Sequence, residues 1–334
     1  MSDNPQPATP IIVQPEPSTK PARRKIPRLV WLLALGLAAI GSTLFYVYFW
    51  YSRPVGEGPA GPAVSAEKFE YNWTDRPVLL VGIGDSVTHG YGSSPGKGFF
   101  ARLVKNPPDE FADMREKSLS HVFPNLTDLN LSKPATNSLE CLERQIPELK
   151  KQDEDTFGII VMTTGGNDII HDYGRTPPRE GAMYGATFEQ AQPWIANFKT
   201  RLDAIIDGIQ AKFPAGCVFF IANIYDPTDD VGDATTAGFP AWPDALKIIR
   251  AYNEVIAHTA ENRKNVELVD MHAGFLGHGI HCVQFWRKSY DKRDPHYWYW
   301  ENLEDPNDRG YDALRRMFLN EMARVLPSLL EDGD

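Results

Sequence analysis

Two apolar segments, each ending in a glycine-led polar turn, constrain the fold of this chain more than any other feature. Residues 77–83 run into Gly84-Asp85-Ser86, and residues 157–163 run into Gly165-Gly166-Asn167-Asp168. Short apolar runs bounded by such turns are typical of buried strands. In open α/β sheets, ligands and catalytic groups lie at the carboxyl ends of the strands. The two turns therefore predict one site that carries a serine hydroxyl and a side-chain amide.

Strand and helix patterns alternate along the rest of the chain. This alternation predicts a parallel sheet covered by helices on both faces. Strands are expected at residues 77–83, 126–131, 157–163, 216–223 and 265–271. Helices are expected at residues 136–151, 187–213, 242–262 and 309–326.

The N-terminal part has a different composition. Residues 1–28 contain seven prolines and are expected to form a disordered tail. Residues 29–51 contain no charged side chain, and a helix of this length spans roughly 34 Å, enough to cross a bilayer. Residues 52–66 are expected to form a linker, and residues 67–334 the catalytic domain.

Charge on either side of the apolar segment predicts its orientation. Five basic residues precede it within residues 1–28, whereas only Arg53 follows closely. The positive-inside rule then places the N-terminus in the cytoplasm and the domain in the periplasm or outside the cell. A cleaved signal peptide is the alternative. Its apolar core is usually about 7–15 residues, so the length of the segment favours an uncleaved anchor.

Composition excludes several other classes of function. The net charge is −10 despite the basic N-terminus, which argues against a nucleic-acid partner. The three cysteines, Cys141, Cys217 and Cys282, are widely spaced and show no metal-binding pattern. One disulfide is possible between an undetermined pair.

Ser86 and Asn167 together suggest acyl transfer. A serine is a weak nucleophile unless a base takes its proton, and the reaction also needs donors for the oxyanion. Ser86 stands where a strand gives way to a helix, which exposes its hydroxyl. Asn167 follows two glycines that allow a tight turn, and its side-chain N–H₂ can donate to an oxyanion.

These two blocks, Gly84-Asp85-Ser86-Val87-Thr88 and Gly165-Gly166-Asn167-Asp168, resemble those of the SGNH, or GDSL-like, hydrolases. The resemblance covers about residues 77–326. It implies a three-layer α/β/α, flavodoxin-like fold and ester hydrolysis through an acyl-serine intermediate, with no metal or organic cofactor. Ser86 would be the nucleophile, and its own N–H and the Asn167 side chain would line the oxyanion hole.

The chain departs from the family pattern in two places. Ala135 occupies the position of a glycine whose N–H completes the oxyanion hole, and its own N–H could still serve. The final block of the family reads Asp-x-x-His-Pro-Asn, but this chain has Asn302 and Asp305 in the Asp and His positions. The general base is therefore not where the family has it.

Three explanations remain open for the missing base. His296 could fold back over Ser86, oriented by Asp305 or Asp294 in a rearranged triad. His281 is the second candidate. The third explanation is an inactive protein that only binds.

Substrate contacts are expected from Asp85, Gly166 and Trp298, with Asp85 interpreted as a turn residue rather than a catalytic acid. The aromatic residues at 290–300 either form a binding platform or pack a loop. The sequence thus predicts a membrane-anchored serine esterase acting on envelope glycans, lipid esters or small-molecule esters. An inactive scaffold protein and an acyltransferase are the alternatives.

Overall fold

The computed structural model describes residues 27–331, so the predictions for residues 1–26 lie outside the described part. It divides into two units, Met1–Tyr46 and Val47–Asp334. The described part of the first unit is helix α1, Arg28–Tyr46, none of whose residues is buried. A π-helical turn, Val47–Tyr51, begins the second unit.

A parallel sheet of five strands forms the centre of the second unit. The strands are β1 Val78–Gly84, β2 Leu126–Asn130, β3 Phe157–Thr163, β4 Cys217–Ala222 and β5 Val266–Val269. Their order is β2-β1-β3-β4-β5, and every neighbouring pair is parallel. This is the flavodoxin-like order, in which the chain reverses direction across the sheet between β1 and β3. The predicted α/β fold class is confirmed.

Helices connect the strands and cover both faces. They are α2 Ser86–His89, α3 Phe99–Val104, α4 Leu119–Val122, α5 Ser138–Glu140, α6 Ile146–Glu148, α7 Gly166–Ile170, α8 Phe188–Gln210, α9 Ala245–Asn262, α10 Met271–Phe275 and α11 Asp308–Glu331. A π-helical segment, Cys141–Gln145, joins α5 to α6.

Alternate residues of the strands face two separate hydrophobic cores. On one face, Leu80 and Val161 pack with residues of α3 and α11, such as Phe99 and Phe318, whose rings stack 4.8 Å apart. On the other face, Val81 and its neighbours pack with residues of α8 and α9. A strand buried on both faces is apolar throughout, which is why β1, β3 and β4 are continuous apolar runs.

The segment 52–66, expected to be a linker, packs on the domain instead. Ala60 and Val64 are buried, and the Ala60 N–H donates to Asp312 of α11 over 3.1 Å. Arg309 of α11 donates to the backbone carbonyl of Gly58 over 2.9 Å. The small residues of this segment allow the backbone to approach α11 closely, so the packed part of the chain begins before Glu67. The three cysteines are buried and free, and form no disulfide.

Candidate active site

Ser86 is held at the carboxyl end of β1 by a turn that only glycine permits. Gly84 has a φ of 116°, and a Cβ there would lie 1.8 Å from the carbonyl oxygen of Thr163. Asp85 then caps α2 by accepting a hydrogen bond from the Val87 N–H over 3.1 Å. Ser86 is the first residue of α2, so its hydroxyl and N–H lie at the helix N-terminus.

The Asp85 side chain is buried and stabilises this turn. Besides Val87, it accepts a hydrogen bond from the Thr163 hydroxyl over 2.6 Å, which ties β1 to β3. Burial raises the pKa of Asp85 to about 7, although these hydrogen bonds oppose the shift. The prediction that Asp85 is a turn residue agrees with these contacts, and the residue also lines the pocket described below.

Asn167 projects from the start of α7. Gly165 precedes this helix with a φ of 96°, and Asn167 donates one side-chain hydrogen to the carbonyl of Thr136 over 3.0 Å. An amide has two such hydrogens, so the second can serve a ligand. Asp168 is buried and instead accepts hydrogen bonds from the N–H and hydroxyl of Ser138, which fixes α7 against α5.

Asp305 is the residue that the structure brings to Ser86. It is buried, and the Ser86 hydroxyl faces its carboxyl group and favours the charged form. Asn302 donates to Asp305 Oδ2 over 2.6 Å. Asp305 Oδ1 is also buried and makes no well-formed hydrogen bond in the described structure, so it remains available to a hydroxyl that rotates toward it.

The surroundings of Asp305 are acidic. Burial raises the pKa of Asp305 above its ordinary range, while the contacts with Ser86 and Asn302 oppose that shift. Burial, assisted by the charge of Asp305, raises the pKa of Glu304 to about 7. Asp85 lies close enough to Asp305 that the charge of Asp305 contributes to the raised pKa of Asp85. Three carboxyl groups therefore compete for protons around one hydroxyl.

A largely apolar pocket opens beside these groups. It has about 1150 Å³ of empty space, counting its opening to solvent, and Ser86, Asn167 and Gly166 are in its wall. Apolar side chains from α7, α9 and the loop between β4 and α9 form much of the rest. They include Ile169, Ile170, Ile224, Phe239, Trp242 and Ile249.

His296 and Asp294, expected near Ser86, lie in a different network. His296 Nδ1 is 2.5 Å from Asp294 Oδ1, and Asp294 is also paired with Arg309 over 2.6 Å. The ring of His296 packs against Gly56, where a Cβ would lie 2.6 Å away. Both residues therefore lie beside Arg309 and the segment 52–66. Neither residue lines the pocket. The rearranged triad is corrected: the Ser86 hydroxyl faces the Asp305 carboxyl group, and Asp305 forms no hydrogen bond with His296 in the described structure.

His281 is also held away from the site. Its ring is buried, and Nε2 lies 2.8 Å from Asp233 Oδ1. Its backbone N–H donates to Asp229, as do those of Gly277 and Gly279, so this carboxylate organises the loop. His281 does not line the pocket that contains Ser86.

Trp298, expected to contact substrate, is a core residue. It is 2% exposed, and its ring stacks on His278 with centroids 3.4 Å apart. Its Nε1–H donates to Asp294 over 3.2 Å. The expectation of substrate contact is therefore corrected, and the packing alternative for the neighbouring aromatic rings Tyr297 and Tyr299 agrees with their burial.

Ala135 stands exposed in the loop after β2, with a φ of 63°. This left-handed conformation favours glycine, which agrees with the match of Ala135 to a family glycine. Ala135 is not in the wall of the pocket. Its backbone conformation therefore supports the match to the family glycine, but its position does not support a contact with substrate.

Sequence reasoning missed Gln145 and Glu304. Gln145 brackets Gly84 by donating to its carbonyl over 2.7 Å and accepting from its N–H over 2.8 Å. Glu304 lines the pocket next to Asp305. The only available signal was the position of Glu304 directly before Asp305, within the block that departs from the family pattern.

One family model matches most of this chain. Residues 83–313 match the model of the GDSL-like lipase/acylhydrolase family. No curated protein matches. Similar solved structures include a lipolytic G-D-S-L protein from Veillonella parvula, with 14% identity, a TM-score of 0.45, and coverage of 74% of this chain and 100% of that one.

Two further structures are similar at the same low level. One is an acetylxylan esterase from Geobacillus stearothermophilus, with 16% identity, a TM-score of 0.45, and coverage of 74% of this chain and 94% of that one. The other is an extracellular lipase from Streptomyces rimosus, with 16% identity, a TM-score of 0.42, and coverage of 70% of this chain and 94% of that one.

Proposed function

Because this chain belongs to the GDSL-like lipase/acylhydrolase family, whose members hydrolyse ester bonds, we propose that it is a membrane-anchored serine esterase with Ser86 as nucleophile. One observation carries the proposal. Ser86 stands at the carboxyl end of β1, faces a buried carboxyl group, and opens into a pocket that Asn167 also lines. Nucleophile, proton acceptor and oxyanion donor are thus available at one place.

The reaction would proceed through an acyl-serine intermediate. The Ser86 hydroxyl attacks the ester carbonyl, and the developing oxyanion accepts hydrogen bonds from the Ser86 N–H and the free hydrogen of the Asn167 amide. The Ala135 N–H is a third proposed donor. Water then releases the acyl group as a carboxylic acid. The Asn167 amide is held by its hydrogen bond to the Thr136 carbonyl before substrate arrives, which reduces the reorganisation that the reaction requires.

The pocket favours esters with an apolar acyl group. Its wall of isoleucine and aromatic side chains offers an alkyl chain a place away from water, and each buried methylene contributes about 0.8 kcal/mol. An acetyl group would leave this space unfilled. Lipid esters therefore fit the site better than acetylated glycans, and a membrane tether would keep the enzyme close to them.

Hydrolysis of p-nitrophenyl esters of increasing chain length tests this proposal. We expect kcat/KM to rise roughly fourfold for each added methylene until the acyl chain fills the pocket. Ala245→Phe, in the pocket wall, should lower the rate with the longest esters and spare the acetate. Ala196→Phe, on the exposed face of α8, is the matched control. Rates that do not depend on chain length would contradict the assignment of the pocket.

The apolar N-terminal segment supports the proposed anchor. Helix and π-turn together, Arg28–Tyr51, are long and apolar enough to cross a membrane, with a mean hydropathy of 2.0 in the most apolar stretch. A signal sequence has the same properties. We propose the uncleaved anchor because the uncharged run is longer than the core of a signal peptide. The catalytic domain would then lie in the periplasm or outside the cell.

A further inference from the structure

We infer that Asp305 itself takes the proton of Ser86, so that the site works as a serine–aspartate dyad with no histidine. The inference rests on the proposed function and names its general base. The Ser86 hydroxyl faces the Asp305 carboxyl group, and Asp305 Oδ1 is buried without a well-formed hydrogen bond. In structures without substrate, catalytic hydrogen bonds are often poorly aligned, so the lack of a well-formed hydrogen bond at Oδ1 does not exclude Asp305 as the base.

Asn302 completes the arrangement by fixing the other carboxyl oxygen. Its side-chain N–H₂ donates to Asp305 Oδ2 over 2.6 Å, while its Oδ1 accepts from the backbone N–H groups of Glu304 and Asp305. In an Asp-x-x-His pair, a carboxylate accepts from an imidazole N–H. Here both residues have changed: an amide donates to a carboxylate. The hydrogen bond within the pair is retained with its direction reversed, and it leaves Asp305 Oδ1 without a partner in the described structure.

No other group in the described structure fits the role of base as well. His296 and His281 are bound to Asp294 and Asp233 respectively, and neither forms a hydrogen bond with Ser86 in the described structure. Asp85 holds the turn through Val87 and Thr163, and the Ser86 hydroxyl faces the carboxyl group of Asp305 rather than that of Asp85. Asp305 is therefore the group that combines contact with Ser86, a fixed orientation and a free acceptor.

The proton can be followed through the whole reaction. Ionised Asp305 accepts the Ser86 proton as Oγ bonds to the ester carbon. When the tetrahedral intermediate collapses, the ester C–O bond breaks and Asp305 gives this proton to the leaving alcohol. A water then gives a proton to Asp305 as it attacks the acyl-serine, and that proton returns to Ser86 Oγ. One ester and one water yield one acid and one alcohol.

The electrostatic surroundings predict how the rate depends on pH. The titratable groups that face Asp305 are Asp85 from the turn after β1, Tyr225 from the loop after β4, Tyr311 from α11 and the adjacent Glu304. All of these are acids, and Asp305 has no ion pair with a described cation, so proton binding to it is favoured. Activity requires the ionised form. The rate should therefore fall as pH decreases, along an acid limb that lies above the ordinary range of an aspartate.

The first experiment measures how fast a fluorophosphonate labels the full-length protein between pH 4 and pH 9. Asp305→Asn keeps the shape of the side chain and an acceptor for Asn302, but it cannot take a proton. We expect it to lower the labelling rate by roughly 10²–10⁴. His296→Ala and His281→Ala are the controls and should label at the wild-type rate. Wild-type labelling of Asp305→Asn, or loss of labelling in either histidine variant alone, would overturn the inference.

Two further variants test the geometry of the pair. Asn302→Asp places a second carboxylate beside Asp305 and should shift the acid limb to higher pH, an effect that simple loss of stability would not produce. The double variant Asn302→Asp, Asp305→His rebuilds a family-type pair and should restore labelling relative to Asp305→Asn, with an acid limb near the ordinary pKa of histidine.

The outcomes separate this inference from the proposed function. A wild type that is unreactive at every pH, together with a reactive double variant, would show a competent Ser86 site without a working base, and would overturn only the role of Asp305. If folded wild type and double variant were both unreactive, the serine esterase itself would be contradicted. A reactive wild type whose labelling depends on Asp305 supports both.

Discussion

At the scale of single residues, the site is unusual in its concentration of acid. Asp85, Glu304 and Asp305 surround Ser86, and none of them forms an ion pair with a described cation. Burial raises the pKa of all three carboxyl groups, and the charge of Asp305 adds to the raised pKa of Asp85 and Glu304. A neutral Asp85 can keep its turn contacts while Asp305 ionises, so the cluster can hold a negative charge on one member at neutral pH.

The raised pKa of Asp85 has a consequence for stability. The pKa is about 7 in the folded protein and near 3.8 without these surroundings, so the folded state keeps a proton that the unfolded chain releases. The contribution of Asp85 to the free energy of unfolding is fully present below about pH 4 and is lost as pH rises through about 7. The free energy of unfolding should therefore decrease across this window.

Asp85→Asn tests this linkage by urea unfolding at pH 5 and pH 8. Asparagine keeps an acceptor for Val87 and Thr163 but does not titrate, so the variant should lose less stability than wild type between the two pH values. Asp153→Asn, at an exposed position, is the control and should follow wild type. Equal pH dependence in Asp85→Asn and wild type would contradict the assignment.

Only part of the residue-scale site could be predicted from the sequence. Ser86 and Asn167 follow apolar strands, and the edge of a parallel sheet brings such positions together. His296 has no comparable constraint. It lies in an irregular loop, where its position depends on Arg309, a residue that is distant in sequence from Ser86 and carries no motif. The contact of Asp305 with Ser86 has the same origin, since it depends on how the loop before α11 returns to the sheet.

At the scale of elements, the π-helical segment between α5 and α6 supports the turn that carries Ser86. Its last residue, Gln145, is 1% exposed and forms both possible hydrogen bonds with the backbone of Gly84. These bonds satisfy polar groups at the edge of β1, immediately before Asp85 and Ser86. Such a buried glutamine fixes the position of the turn more firmly than the sheet alone.

Gln145→Leu should therefore destabilise the protein and reduce its activity. The Gly84 N–H would lose its partner, which costs about 1–3 kcal/mol, whereas the Gly84 carbonyl would keep the hydrogen bond from the Lys133 N–H over 3.1 Å. The free energy of unfolding and kcat for a p-nitrophenyl ester are the two measurements. Gln192→Leu, exposed on α8, is the matched control. A Gln145→Leu protein as stable and active as its control would show that the sheet alone positions the turn.

The sequence predicted the elements better than their details. All five strands lie within two residues of the expected bounds because buried parallel strands are continuous apolar runs. The helix expected over 136–151 is interrupted by the π-helical segment, since a single inserted residue leaves little trace in an apolar pattern. Helix α11 continues to Glu331 rather than 326 because Leu326 and Leu330 remain buried in the core.

At the scale of the whole molecule, composition separates an apolar helix from an acidic catalytic domain. The helix was evident from the sequence because length and absence of charge suffice to identify it. The packing of residues 52–66 was not evident, because Gly/Pro/Ala-rich composition resembles that of a flexible linker. In the structure, the small side chains of this segment permit close contact with α11. A Gly/Pro/Ala-rich composition is therefore also compatible with a packed segment.

The proposed orientation can be tested with an alkaline phosphatase fused to the C-terminus. Alkaline phosphatase is active only after export, so the fusion should show phosphatase activity if the N-terminus of the protein lies in the cytoplasm. Replacing the basic residues before the helix by glutamine should reduce this activity, because they set the orientation. The residues are Lys20, Arg23, Arg24, Lys25 and Arg28. An inactive fusion that is nevertheless produced would contradict the topology.

The central claim is that Ser86 forms a covalent acyl-enzyme, and intact-mass measurement after fluorophosphonate treatment tests it most directly. The account predicts one adduct per chain, located on the peptide that contains Ser86. Ser86→Ala should remain folded and gain no mass. An unmodified wild-type protein, or an adduct that persists in Ser86→Ala, would contradict the account.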